Sequence, residues 1–402
     1  MALPIRPPSD LTFPADAEAS TSRELLSTYL KLQYRTLLRL PYPALLGVRR
    51  PGEEFAELVR SVAKENPGFL FNVLRQPSVG GLLRLIATQA GNRLEMRDWT
   101  LQLIAQVNTE LATVGMASSR LAPRGGFERL VSLHERFSID ISGAKEVHFD
   151  GDQISIVSLG QTETYDATDP AGARVARPYH EIRGQIVLPT YDNNPRAGEE
   201  AHPDKKGNHV DLGGKPVSEW LNTMQAAFAI IEEFASELIP EMELLLHQIF
   251  PVGYEPEKHL SASLMTVLGN IYMTLHPDPL VMAEAIIHEF SHNKINALWS
   301  LSPLLENAFE PLFSSPVRPD PRPLFGVLLA VHAFLPVEQM YLRMIEANHP
   351  LVKHPRFMHR RNQIRESNNA AATTVLDNGI ATEMGGEVLL EIRRLNDRFA
   401  AA

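Results

Sequence analysis

Cysteine is absent from all 402 positions. That excludes disulfides, iron–sulfur clusters, thiolate zinc sites and cysteine nucleophiles within this chain, and it fits a reducing cytoplasm. Long uncharged apolar runs are missing as well. The longest fall short of the roughly 20 residues that span a bilayer, so no membrane partner is expected. The first residues, Met1-Ala-Leu-Pro-Ile-Arg-Pro-Pro, lack the apolar stretch of a signal peptide. Positive charge is in deficit too. A net charge of −10 argues against a nucleic-acid partner, and no Lys/Arg cluster contradicts this. Any metal held by this chain must rest on His, Asp and Glu.

What is present is ordinary for a soluble enzyme: 44% hydrophobic and 21% charged residues, in a chain long enough for one large domain or two subdomains. The pattern predicts an α+β fold, predominantly helical. A helical N-terminal region is expected over residues 1–116. A catalytic domain with a small sheet is expected over 117–402. The first twenty residues, rich in Pro and Ser, read as a loosely held arm. Thr21-Ser-Arg-Glu24 reads as a capping box ahead of the first helix. Breaks are expected at Pro41-Tyr-Pro43, Pro51-Gly52, Pro67-Gly68 and Gly80-Gly81.

Strand-like alternation follows in residues 143–169 and 181–191. Residues 192–216 are polar and read as a flap. Helix returns at Val217, where Met224, Phe228, Ile231, Ala235 and Leu238 form a buried stripe. Residues 260–267 and 271–275 read as two strands or one bent strand. An edge strand at this place suits main-chain binding of an extended peptide.

The most informative segment comes next. His288-Glu-Phe-Ser-His292 lies in a run without internal Gly or Pro, with Asp278 as N-cap and Pro279 as first helical residue. Histidines four apart on a helix project from one face and can grip one ion, with Glu289 beside them as acid or base. A loop from Ser302 to Pro323 follows, then a long apolar helix from Leu324 to about Ala347. Beyond it lie the basic and aromatic patch His354-Pro-Arg-Phe-Met-His-Arg-Arg361 and a final amphipathic helix.

His288-Glu-Phe-Ser-His292-Asn-Lys-Ile-Asn-Ala-Leu, then Arg318-Pro-Asp-Pro-Arg-Pro-Leu, then Gly326-Val-Leu-Leu-Ala-Val-His332-Ala-Phe334 together resemble the 2-oxoglutarate-HExxH family of peptide-modification clusters. The resemblance covers residues 255–345. It implies iron(II) at the motif, 2-oxoglutarate as co-substrate, and β-hydroxylation of a residue in a peptide or protein. Family members fused to radical domains need cysteines, so this chain resembles the oxygenase alone.

Such an iron needs about three protein ligands on one face. His288 and His292 supply two. His332, on an otherwise apolar helix, is the preferred third, with Glu306, Glu310 and Glu338 as carboxylate alternatives. The far carboxylate of the keto acid needs a cation, for which Arg318 and Arg322 in their proline-stiffened loop are candidates, Arg322 foremost. A surface turn with Arg322 paired to Asp320 is the bland alternative. Two rival readings remain: a zinc peptidase with Glu289 as base and Glu310 as third ligand, and a non-catalytic helical scaffold.

Overall fold

The computed structural model describes residues 5–47, 50–123, 127–199, 201–202, 205–314 and 320–401. It is 53% helical with small sheets, the expected α+β, predominantly helical class. Twelve α-helices occur among the described residues.

Compaction divides the chain otherwise than at residue 116. One unit comprises residues 1–29, 182–186 and 211–402; the other comprises 30–181 and 187–210. The reason lies in the helix Arg93–Ala112, whose second half is buried on every side. It packs against the strands Ala117–Leu121, Arg129–Ser132 and Glu146–Gly151, so these helices and strands share one core. That unit holds a four-stranded antiparallel sheet in which Ala117–Leu121, Glu146–Gly151, Gln153–Ser158 and Gln161–Asp166 are neighbours in that order. Pro67 and Pro77 open helices at their first turn, where a missing N–H goes unnoticed. Gly80-Gly81 does not break its helix. Gln33 Nε2 approaches to 2.7 Å of where a Cβ on Gly80 would sit, so the glycine serves packing. In the 192–216 segment the described residues include a 3₁₀ turn at Ala197–Glu199 and a short hairpin, Ala201–His202 with Lys205–Lys206.

The other unit carries the motif. Its helix Pro279–Leu301 begins as expected, with Asp278 accepting from the N–H of Leu280 and Pro279 at the first position. It packs against Val217–Phe234, whose apolar stripe is buried, and against Leu324–Glu346. Leu324–Glu346 is long and apolar enough to cross a membrane, a property the sequence reading missed. However, 78% of its apolar window is buried in protein, as in a core helix. Beneath the motif helix lies a sheet in which Ser261–Ala262 runs antiparallel to Asn270–Leu275, and that strand parallel to Gln248–Tyr254. Asn293 ties helix to sheet: its Oδ1 accepts from Gly269 N–H at 2.7 Å and its Nδ2 donates to the Asn270 carbonyl at 3.3 Å.

The N-terminal arm is not loose. Leu11 and Thr12 are 0% and 1% exposed. The Glu391 carboxylate accepts from the N–H groups of Thr12 (3.0 and 2.9 Å) and Phe13 (3.2 Å). Nor does Thr21 cap the first helix, Ser20–Arg39. Thr21 Oγ1 donates to Asp10, and Asp16 Oδ1 instead takes the N–H groups of Glu18 and Ser20.

Candidate metal centre

Glu284, His288 and His292 are spaced one turn apart on the same stripe of the motif helix. The two imidazoles meet edge to face, ring centroids 4.4 Å apart, with Nε2 atoms separated by 2.9 Å. Two nitrogens bonded at about 2.1 Å to one ion would lie about 3.0 Å apart at right angles and about 3.4 Å apart at a tetrahedral angle. The observed spacing matches the right-angle case. Withdrawal from water is the largest cause lowering the His288 pKa, followed by the charges of His292, Arg360 and His259. Burial also lowers His292, to about 4. Both rings are neutral near pH 7. Only one of them can then donate across the Nε2–Nε2 contact, whereas a cation between them would accept a lone pair from each.

Glu289 completes the group. Its carboxylate lies within 4.8 Å of both imidazole nitrogens, and it is 3% exposed. Ser261 Oγ, on the edge strand, donates to Glu289 Oε1 at 2.7 Å. Among the described residues this is the one cluster of such side chains close enough to share an ion.

His332 does not join it. The motif helix and Leu324–Glu346 run antiparallel, with Phe334 against His288 (centroids 4.4 Å) and Phe325 against Trp299 (4.3 Å). His332 lies on the same helix as Phe334, but it is not in the group whose donor atoms fall within 4.8 Å of one another. It is 1% exposed, and burial, then the charges of Lys294 and His292, lower its pKa. Glu306, Glu310 and Glu338 are outside the cluster too. Glu338 accepts from Asn368 Nδ2 at 2.7 Å, and Glu310 is exposed.

Arg318 lies outside the described residues. Arg322 pairs with Asp320 at 3.1 Å, the bland alternative. It also precedes the helix that begins at Leu324, ten residues and about 15 Å of rise from the level of Phe334 and His288. Among the described residues, Arg360 is an arginine whose charge acts on His288. Its Nε and Nη2 donate to Glu284 Oε2 at 2.9 and 2.7 Å, one helical turn from His288. Tyr341 donates its hydroxyl to the other oxygen of Glu284. Burial, then the Glu284 charge, push the Tyr341 pKa up, so it stays a donor. Among the described residues, Nη1 of Arg360 makes no hydrogen bond within the protein. The signal for Arg360 was only partial: Glu284 is a carboxylate on a face otherwise committed to burial, which demands a cation, but nothing local says which.

No family model matches this chain, and no curated protein is significantly similar to it.

Proposed function

We propose that this protein is an iron(II)- and 2-oxoglutarate-dependent oxygenase that β-hydroxylates a side chain of a peptide or protein, in the modification of natural-product peptides. The observation that carries the reading is the convergence of a neutral imidazole pair with an arginine fixed one turn away. His288 and His292 would hold the metal, and Glu289, with its carboxylate within 4.8 Å of both, would be the third donor. Iron bound there supplies, with 2-oxoglutarate and O₂, a hydroxylation in which one oxygen atom enters the substrate C–H bond and the other enters succinate as CO₂ leaves.

The chain's own residues prepare that chemistry. Low imidazole pKa values keep both rings neutral near pH 7, so each has one nitrogen lone pair to offer a cation. Arg360, oriented by Glu284 and Tyr341, offers a rigid charge for the far carboxylate of the co-substrate, the role expected of Arg318 or Arg322. Phe334, its ring tilted against that of His288, keeps water from that flank of the pair.

One observation favours a second reading. Glu289 lies in the same cluster as the imidazoles, where a zinc peptidase carries its base. Ser261 Oγ donates to the Glu289 carboxylate at 2.7 Å and fixes its orientation.

Anaerobic loading with iron, followed by 2-oxoglutarate and O₂, tests the proposal. Succinate release in the presence of peptides, with a product heavier by one oxygen atom, is the expected result. Peptide hydrolysis by the zinc-loaded protein, with no succinate from the iron-loaded one, would overturn it in favour of the peptidase.

A further inference from the structure

The edge of the small sheet has a hydrogen-bond parity that bears on what the site accepts. Ser261–Ala262 is the outermost strand, with Ser261 opposite Met273 and Ala262 opposite Tyr272. The N–H of Thr274 donates to the carbonyl of Leu260 at 2.9 Å, and the N–H of Leu260 donates to Thr274 Oγ1 at 3.0 Å. In an antiparallel pair, residues whose main chain faces the partner alternate with residues whose main chain faces away. Leu260 and Ala262 therefore face into the sheet, and the N–H and C=O of Ser261 point out of its edge. The side chain of the same residue reaches the other way in function, donating to Glu289 at 2.7 Å. Both strand residues are partly exposed.

We propose that the substrate binds as an extended peptide that adds a strand along residues 260–263. Its main chain pairs with the N–H and C=O of Ser261, and one of its side chains is carried past His288 and His292. An outward donor and acceptor on one residue are matched by the main chain of another strand, whereas a helix has already used its own. The inference rests on the metal reading above, though not on which metal is bound. It narrows the substrate to a segment that is extended when bound and recognised largely through its backbone.

A metal-chelating probe tests this without knowledge of the natural sequence. Protein loaded with zinc is titrated calorimetrically with acetohydroxamate and with tetra-alanine carrying a C-terminal hydroxamate. The peptide should bind about tenfold tighter. An extended strand shows alternate amides to the edge, so N-methylation at one parity should remove that gain and at the other should leave it. Ser261→Pro, which lacks the N–H, should lose the gain, and Ser261→Ala, which keeps the N–H but not the hydroxyl, should retain it. Equal affinity of peptide and bare chelator, indifference to methylation parity, or identical behaviour of the two variants would overturn the added strand and leave the metal site standing. Failure to retain zinc or bind acetohydroxamate at all would remove the metal reading and this inference together.

Discussion

Two faces of the helix Pro279–Leu301 bury polar groups in opposite ways. On one face Lys294 donates to Glu241 at 2.6 Å, both side chains are 1% exposed, and Ser22 donates to the second oxygen of the carboxylate. Every charge there has a partner, and the arrangement is closed. On the other face His288 and His292 turn their Nε2 atoms toward one point, and two neutral rings cannot both be satisfied by each other. Burial of polar groups is tolerated when complete. A structural network closes on itself, whereas a binding site is left open toward something else.

The largest effect should come from the open face. His292→Ala is expected to weaken metal binding roughly a hundredfold or more and to abolish turnover, with the fold intact; metal content after dialysis, alongside circular dichroism, reads both. A fully retained ion would end the comparison by showing that the pair is not the site. The closed face should respond in stability instead. Lys294→Met strands a buried carboxylate and should cost about 3–5 kcal/mol in urea denaturation. Adding Glu241→Met should recover most of that loss, because the pair would be replaced by apolar packing.

Arg360 belongs to the open face and sharpens the contrast. Arg360→Ala should leave metal content unchanged and weaken 2-oxoglutarate roughly 10- to 100-fold, measured by anaerobic titration of the iron-loaded protein. A 2-oxo acid without the second carboxylate should bind both proteins alike. Arg322→Ala should change little, since that guanidinium is committed to Asp320.

The smallest effect concerns a carboxylate that is partnered yet uncomfortable. Burial pushes Glu391 up to about 7, against the opposing N–H groups of Thr12 and Phe13. A raised acid pKa means the folded state holds the proton longer than the unfolded one. The group's contribution is therefore fullest below the ordinary carboxylate value, and stability is lost as pH rises toward about 7. Glu391→Gln should flatten that slope and be more stable than the parent at pH 8, by about 1–2 kcal/mol in denaturant titrations.

Legibility from sequence tracked the range of the interactions. The cap at Asp278, the start of helix at Val217 and the stripe from Met224 to Leu238 were readable, because each depends on neighbours within a few turns. The N-terminal arm was misjudged. Its Pro-rich composition says nothing of Glu391, which holds it from the other end of the chain. Gly80-Gly81 looked like a break because the contact with Gln33 that requires a small residue is not local.

The spacing of His288 and His292 needs only the 3.6-residue period of one helix, so the primary sequence alone determined that pair, together with the carboxylate beside it. Which partners stand round the pair was decided by packing. The antiparallel seating of Leu324–Glu346 brings Phe334 to His288 and leaves His332 outside the cluster, and Glu284 draws in Arg360 from a helix far along the chain. Rotational phase and helix-to-helix contact are properties of the folded core, and no local pattern of residues encodes them.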